Sequence, residues 1–147
     1  MNIKFRPVVS EEFYFAFEVK KQAMGEHILA KWEWDEEFQL NLHRKRWHEK
    51  PWYVIDIDGT DVGTISLHDL DKNTLRLGEF YLLDEFRNSG LGTAFLNSVI
   101  EASDTKGKTV ILEALKWNPV RTLYERHGFS VTSENEIHYF MERKSLR

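Results

Sequence analysis

The chain has 147 residues, a formal net charge of −4, no cysteine, and 41% hydrophobic residues that include ten Phe and five Trp. Such a length and apolar content predict one globular domain over residues 1–147 with a sizeable core, and they exclude a disordered tail. The acidic balance gives no electrostatic reason to bind nucleic acid or an anionic membrane, no apolar run is long enough to span a bilayer, and the first residues lack a secretory pattern; the expectation is a cytoplasmic protein. The absence of cysteine removes disulfides, thiolate metal sites and a cysteine acyl-enzyme.

Asn2 to Val8 alternates Ile3 and Phe5 with Lys4 and Arg6, which predicts a first strand. Ser10 is placed as the N-cap of a helix whose first turn carries Glu11 and Glu12, and Phe13, Phe17, Met24 and Ile28 fall near one helical face. A break around Lys31 to Trp34 leads to a second helix from Asp35 to about Trp47. Trp52 to Ile57 and Val62 to Leu70 read as strands joined by a hairpin turn at Asp58-Gly59. After a turn at Asp71 to Asn73, a strand over Thr74 to Leu83 feeds the turn that precedes a third helix. That helix carries its apolar stripe at Leu91, Phe95, Val99 and Ala102. Lys106 to Lys108 ends it. Val110 to Lys116 predicts a buried strand, Asn118 to His127 a short helix with Pro119 in its first turn, and Phe129 to Thr132 with Glu136 to Glu142 a closing hairpin. The order predicts one mixed α/β sheet, without repeats or linkers.

Two segments carry chemistry. Gly78 to Thr93 runs from a strand through a glycine-bearing turn into an amphipathic helix, with Arg87, Gly90 and Gly92 where a helix start offers free backbone N–H groups. Glycine lets the backbone approach an anion without a Cβ in the way. Gly-x-Gly alone also occurs in ordinary turns, but a second motif follows about one helix later. That motif is Asn118-Pro-Val-Arg-Thr-Leu-Tyr-Glu-Arg-His-Gly-Phe129, placed after a short apolar strand, and together the pair points to a pyrophosphate-bearing cofactor.

In this order and spacing the two segments resemble the GCN5-related N-acetyltransferase family. The first is similar to its Arg/Gln-x-x-Gly-x-Gly/Ala turn, and the second matches its downstream signature at Asn118, Arg121, Leu123, Tyr124, Glu125, Gly128 and Phe129. The likeness covers roughly the last half of the chain, and the first half agrees more loosely. It implies a mostly antiparallel sheet of six or seven strands, splayed at its centre and flanked by about four helices. It further implies acetyl-CoA as cosubstrate, no metal, and an amine-bearing small molecule or peptide as acceptor. A homodimer is also compatible, since dimers are common in the family. Backbone groups of Leu82 and Leu83 would follow the pantetheine arm. Arg87, Asn88, Ser89, Gly90, Leu91, Gly92 and Thr93 would hold the pyrophosphate, with Asn118 and Arg121 as further cofactor contacts. Asp84 stands where many relatives have proline, which should loosen the turn slightly without removing an amide.

The family's motif tyrosine is its general acid, which here is Tyr124; a phenol with a reference pKa near ~10 keeps its proton at neutral pH and can give it to a departing thiolate. The other reading is a core ring whose hydroxyl bonds a backbone carbonyl. Asn118 either contacts the cofactor or caps the following helix. Glu79, on the strand before the turn, is the tentative base; the competing reading is a solvent-facing carboxylate on an alternating strand. Trp32, Trp34 and Asp35 are the candidate acceptor contacts, since two indoles among acids suit a cationic amine. The same acids also serve as N-cap and dipole partners, with Trp34 and Phe38 stapling the helix to the core. His43 to His48 reads as a solvated basic face. The six histidines lack a zinc spacing, and no Walker loop or Gly-x-Ser-x-Gly elbow is present. Catalysis by direct attack in a ternary complex is the expectation; a non-catalytic acyl-CoA sensor of the same fold is the alternative.

Overall fold

The computed structural model describes residues 2–146. The chain divides into two compact units: one holds residues 1–67 and 79–89, the other residues 68–78 and 90–147. The strands follow the hydrogen-bonded order β1-β2-β3-β4-β5-β7-β6, and β3 and β4 each contribute residues to both units. Among the described residues, seven strands and four α-helices make this the expected mixed α/β fold with a mostly antiparallel sheet.

In the first unit, β1 (Ile3–Pro7) pairs antiparallel with β2 (Trp52–Ile57), which pairs antiparallel with β3 (Thr60–Asp71). The Asp58-Gly59 turn closes the β2–β3 hairpin with both residues at positive φ (51° and 89°), the conformation that the right-handed strand twist favours. α1 (Phe13–Leu29) starts one turn later than the sequence suggests, because Ser10 to Glu12 form a 3-10 turn. Ser10 makes no cap. The Glu12 carboxylate instead accepts the Val9 N–H at 2.9 Å and pairs with both arms of Arg6. Asp35 caps α2 (Glu36–Glu49) by accepting the Phe38 N–H at 3.0 Å. Phe13, Phe17, Val54, Ile55, Val62 and Ile65 are buried, and the rings of Phe13, Phe17, His43, Trp47 and Trp52 meet at centroid distances of 4.5 to 5.7 Å. Phe38 does not staple its helix to this core; it is exposed.

β4 (Thr74–Leu82) breaks its alternation at Glu79, which sits at φ 48°. A non-glycine residue there costs about 1–2 kcal/mol, so it persists only where surrounding contacts fix it. The buried Thr64 hydroxyl donates to the Glu79 carbonyl at 3.0 Å, and the Leu83 N–H returns to the Val62 carbonyl at 2.9 Å. Between them lies Gly63, where a Cβ would stand 2.1 Å from the Tyr81 carbonyl oxygen; only glycine fits. Burial does not alternate along this stretch: Glu79 is buried, and Phe80, Tyr81 and Leu82 are half-buried.

In the second unit, β4 pairs in parallel with β5 (Thr109–Leu115) over Thr74–Arg76 and Thr109–Ile111; β4 runs on to Leu82 and β5 to Leu115. β5 continues antiparallel with β7 (His138–Arg143), which pairs with β6 (Ser130–Glu134). α3 (Leu91–Thr105) buries Phe95, Leu96 and Val99, and α4 (Val120–Arg126) buries Tyr124. The bidentate Arg143–Asp104 pair, at 2.7 and 3.1 Å, fixes the last strand to the end of α3.

Candidate active site

α3 begins at Gly90, whose φ of 82° turns the chain into the helix. A Cβ on Gly90 would meet nothing within 4 Å, so the backbone conformation, not space, calls for glycine here. No side chain caps this terminus, and the Gly90 carbonyl receives its helical hydrogen bond from the Ala94 N–H at 3.2 Å. The N–H groups of Leu91, Gly92 and Thr93 thus lie at the positive end of a fifteen-residue helix dipole.

The residues that lead into it belong to the first unit. Asn88 is at φ 59°, and the Ser89 hydroxyl donates to the Phe86 carbonyl at 2.6 Å. Asp84 does not loosen this stretch. Its N–H donates to Gln22 Oε1 at 2.9 Å, a bond proline could not make, and its carboxylate pairs with Arg87. Arg87 also donates to the Gln22 carbonyl at 3.3 Å, so its guanidinium is tied to α1. Leu82 and Leu83 are half-buried at the end of β4, with the Leu83 amide engaged by Val62.

Tyr124 is buried beside Phe129, ring centroids 5.6 Å apart. Among the described residues its hydroxyl makes no hydrogen bond, so it is not anchored to a backbone carbonyl. Burial pushes the phenol above its ordinary value and keeps it protonated. Asn118 Oδ1 accepts the Val120 N–H at 3.0 Å, which makes it a capping residue of α4. Arg121 lies 4.3 Å over the Tyr139 ring, with its Nε 3.1 Å from Glu125 Oε1.

Glu79 is not a solvent-facing carboxylate. Its side chain is 3% exposed, Lys50 Nζ donates to Oε1 at 3.0 Å, and an Arg46 nitrogen stands 3.8 Å from the same oxygen. Burial alone would push Glu79 up, but Lys50, Lys20 and Arg46 outweigh it and hold the carboxyl below its ordinary value. Oε2 has no partner. Lys20 is buried, and desolvation lowers it to about 8 against the raising effect of Glu79. His43 Nε2 lies 2.9 Å from the Phe13 carbonyl, which makes Nε2 the protonated nitrogen and leaves Nδ1 bare and unpartnered. Burial pushes His43 down, so it stays neutral.

The stretch from His43 to His48 is therefore not one solvated face: His43 is fully buried and Arg46 points toward Glu79, while Arg44, Lys45 and His48 remain exposed. Sequence reasoning missed Lys20, His43, Arg46, Lys50 and Gln39, which is buried on α2 with its Oε1 unpartnered among the described residues. The available signal was spacing, since Lys20 continues the Phe13–Phe17 stripe and Gln39, His43, Arg46 and Lys50 recur at three to four residues. The candidate acceptor residues are tied up locally. Asp35 is the N-cap; Trp34 Nε1 donates to Glu36 at 2.6 Å, and Lys21 binds the same carboxylate at 3.0 Å. Trp32 is 47% exposed. Among the described residues no cluster of His, Asp or Glu is arranged to hold a metal ion, and no helix is long and apolar enough to cross a membrane.

A model of the acetyltransferase (GNAT) family matches residues 11–129, running through both units. The chain belongs to the GNAT acetyltransferase family. No curated protein matches the sequence. Solved structures share the GNAT fold along nearly the whole chain. The PaiA N-acetyltransferase from Thermoplasma acidophilum, in complex with coenzyme A, superposes with a TM-score of 0.76 at 20% identity, covering 98% of this chain and 99% of that one. A GNAT family acetyltransferase from Elizabethkingia anophelis with acetyl-CoA bound gives 0.69 at 16% identity, with 97% and 98% coverage. The ribosomal-protein-S18-alanine N-acetyltransferase from Escherichia coli gives 0.70 at 15%, with 99% and 96% coverage.

Proposed function

We propose that this GNAT protein works as one catalytic domain that moves an acetyl group from acetyl-CoA to a primary amine by direct attack in a ternary complex. The observation that carries the donor half is the uncapped start of α3, opened by Gly90 at positive φ, a terminus suited to a pyrophosphate. Gly90 to Thr93 would hold it by backbone amides, with Arg87 to Ser89 leading in and Leu82–Leu83 and Asn118 beside the rest of the cofactor. Arg121 supplies a further cation.

In the reaction the amine nitrogen attacks the thioester carbonyl, a C–N bond forms, and the C–S bond breaks. Tyr124 gives its proton to the leaving thiolate; its hydroxyl is protonated and engaged by no other described group. The amine's proton passes to the Glu79 side, through a water at the unpartnered Oε2. Glu79 is a weak base, because three cations hold it ionised. The same cations disfavour an ammonium and so help the acceptor arrive as the neutral amine.

The test is free-thiol release from acetyl-CoA across a panel of amines and peptides, with Tyr124→Phe alongside. Release that depends on an amine and collapses in the variant is expected. Release unchanged in Tyr124→Phe would remove Tyr124 as the acid. Silence across the panel with acetyl-CoA still bound would overturn the enzymatic reading in favour of an acyl-CoA sensor.

A further inference from the structure

Around Glu79 on β4, three cations are gathered at one carboxylate. Lys20 from α1 and Arg46 and Lys50 from α2 and its end act on Glu79, the one acid among the charges that shift Lys20. His43 adds no charge, since its Nε2 donates to a carbonyl and burial keeps it neutral. The neighbouring Glu49 sits 3.9 Å from Lys45. Two positive charges are left in surplus where Lys20 is 3% exposed and the Lys50 side chain 20%. An uncompensated charge held away from water is costly and calls for a partner.

Arg46 is the group open to such a partner. Its side chain is 33% exposed and its guanidinium donates no hydrogen bond among the described residues; it only approaches Glu79 Oε1 at 3.8 Å. A planar guanidinium fork matches a carboxylate through two parallel N–H···O bonds. The surplus charge opposes a dication, and it lowers the pKa of an ammonium brought beside it. Of the four acids around Trp32 and Trp34 that would favour a cationic acceptor, Asp35 and Glu36 are already bound, Asp35 to the Phe38 amide and Glu36 to Lys21 and the Trp34 indole.

We propose that the acceptor of this acetyltransferase is an amino carboxylate, whose carboxylate is held by the Arg46 fork beside Lys50 while its amine is the group acetylated. This rests on the acetyl-transfer reading for the fate of the amine, but binding of the carboxylate is measurable apart from it. Arg46 is a suitable position to change, because its guanidinium donates no hydrogen bond among the described residues, and its backbone carbonyl, which accepts the Trp52 indole N–H at 3.0 Å, survives substitution.

The experiment is calorimetric titration of the full chain with β-alanine, γ-aminobutyrate and glutamate, each beside its amide, and with putrescine. At least one amino carboxylate should bind tenfold or more tightly than its amide, and putrescine should bind weakest. Arg46→Gln should abolish the preference, Arg46→Lys should retain part of it, and Lys50→Met should weaken it. Equal or tighter binding of the amides or putrescine, a preference that survives Arg46→Gln, or no binding of any probe would each overturn the proposal. Thiol release measured on the same compounds separates the two readings. Carboxylate binding without release would keep the anion site and count against acetyl transfer, whereas release with amides or putrescine alone would keep acetyl transfer and overturn the anion site.

Discussion

The start of α3 and the interior behind Glu79 both favour negative charge, but they are made of different atoms. At α3 the attraction comes from backbone amides and a helix dipole worth about half an elementary charge, exposed by a glycine at positive φ. Behind Glu79 it comes from three full side-chain charges, on α1, on α2 and just past the end of α2, that act on one carboxylate. A backbone site tolerates most side-chain changes but depends on one conformation. A side-chain site depends on each member and responds to pH. The contrast suits a donor that is constant across a family and an acceptor that varies within it.

The sharpest break in this comparison is at the proposed general acid. Tyr124→Phe should lower thiol release by about a hundredfold or more. Acetyl-CoA affinity and melting temperature should change little, because the hydroxyl holds no structural hydrogen bond. Comparable loss of stability in the variant would place Tyr124 with the core.

The side-chain site should show itself in stability against pH. Lys20 titrates at about 8 in the fold and at its ordinary 10.5 when unfolded. Between these values the unfolded chain holds the extra proton, so stability should rise with pH across that window, by up to about 3 kcal/mol. Urea unfolding at pH 7 and pH 10 checks this, and Lys20→Met should flatten the rise. Glu79 gives a slope of the same sign at the acid end, where its stabilising contribution is lost as pH falls below its unfolded value of 4.5.

The backbone site should respond to conformation alone. Gly90→Ala puts a Cβ into open space but at φ 82°, which costs about 1–2 kcal/mol. The KM for acetyl-CoA should rise while the KM for the acceptor stays constant. A smaller effect separates capping from recognition: Asp35→Ala should cost about 1 kcal/mol and Asp35→Asn much less, since asparagine also caps. A changed acceptor KM in Asp35→Asn would mean that the carboxylate touches the acceptor.

The two sites were not equally legible from the residues. Gly90, Gly92 and the Asn118 to Phe129 run announce themselves because glycine at a helix start and a fixed motif order are local features. The helices and strands followed from periodicity to within a few residues, except at Ser10, where the Glu12–Arg6 pair made a 3-10 turn the better start. Glu79 stood open between a catalytic base and an ordinary strand carboxylate because neither its positive φ nor its burial is written in neighbouring residues; both involve Thr64, Gly63 and Val62 from β3.

The sequence by itself determined the family, the order of elements and the glycine-opened helix start, since these rest on local spacing and conformational preference. Tertiary structure alone decided that Lys20, Arg46 and Lys50 act on one buried carboxylate while Asp35 and Glu36 are engaged by local bonds. The physical reason is range. Helix and turn preferences act over a few neighbours, whereas desolvation and Coulomb energy depend on which distant side chains the fold brings together and shields from water.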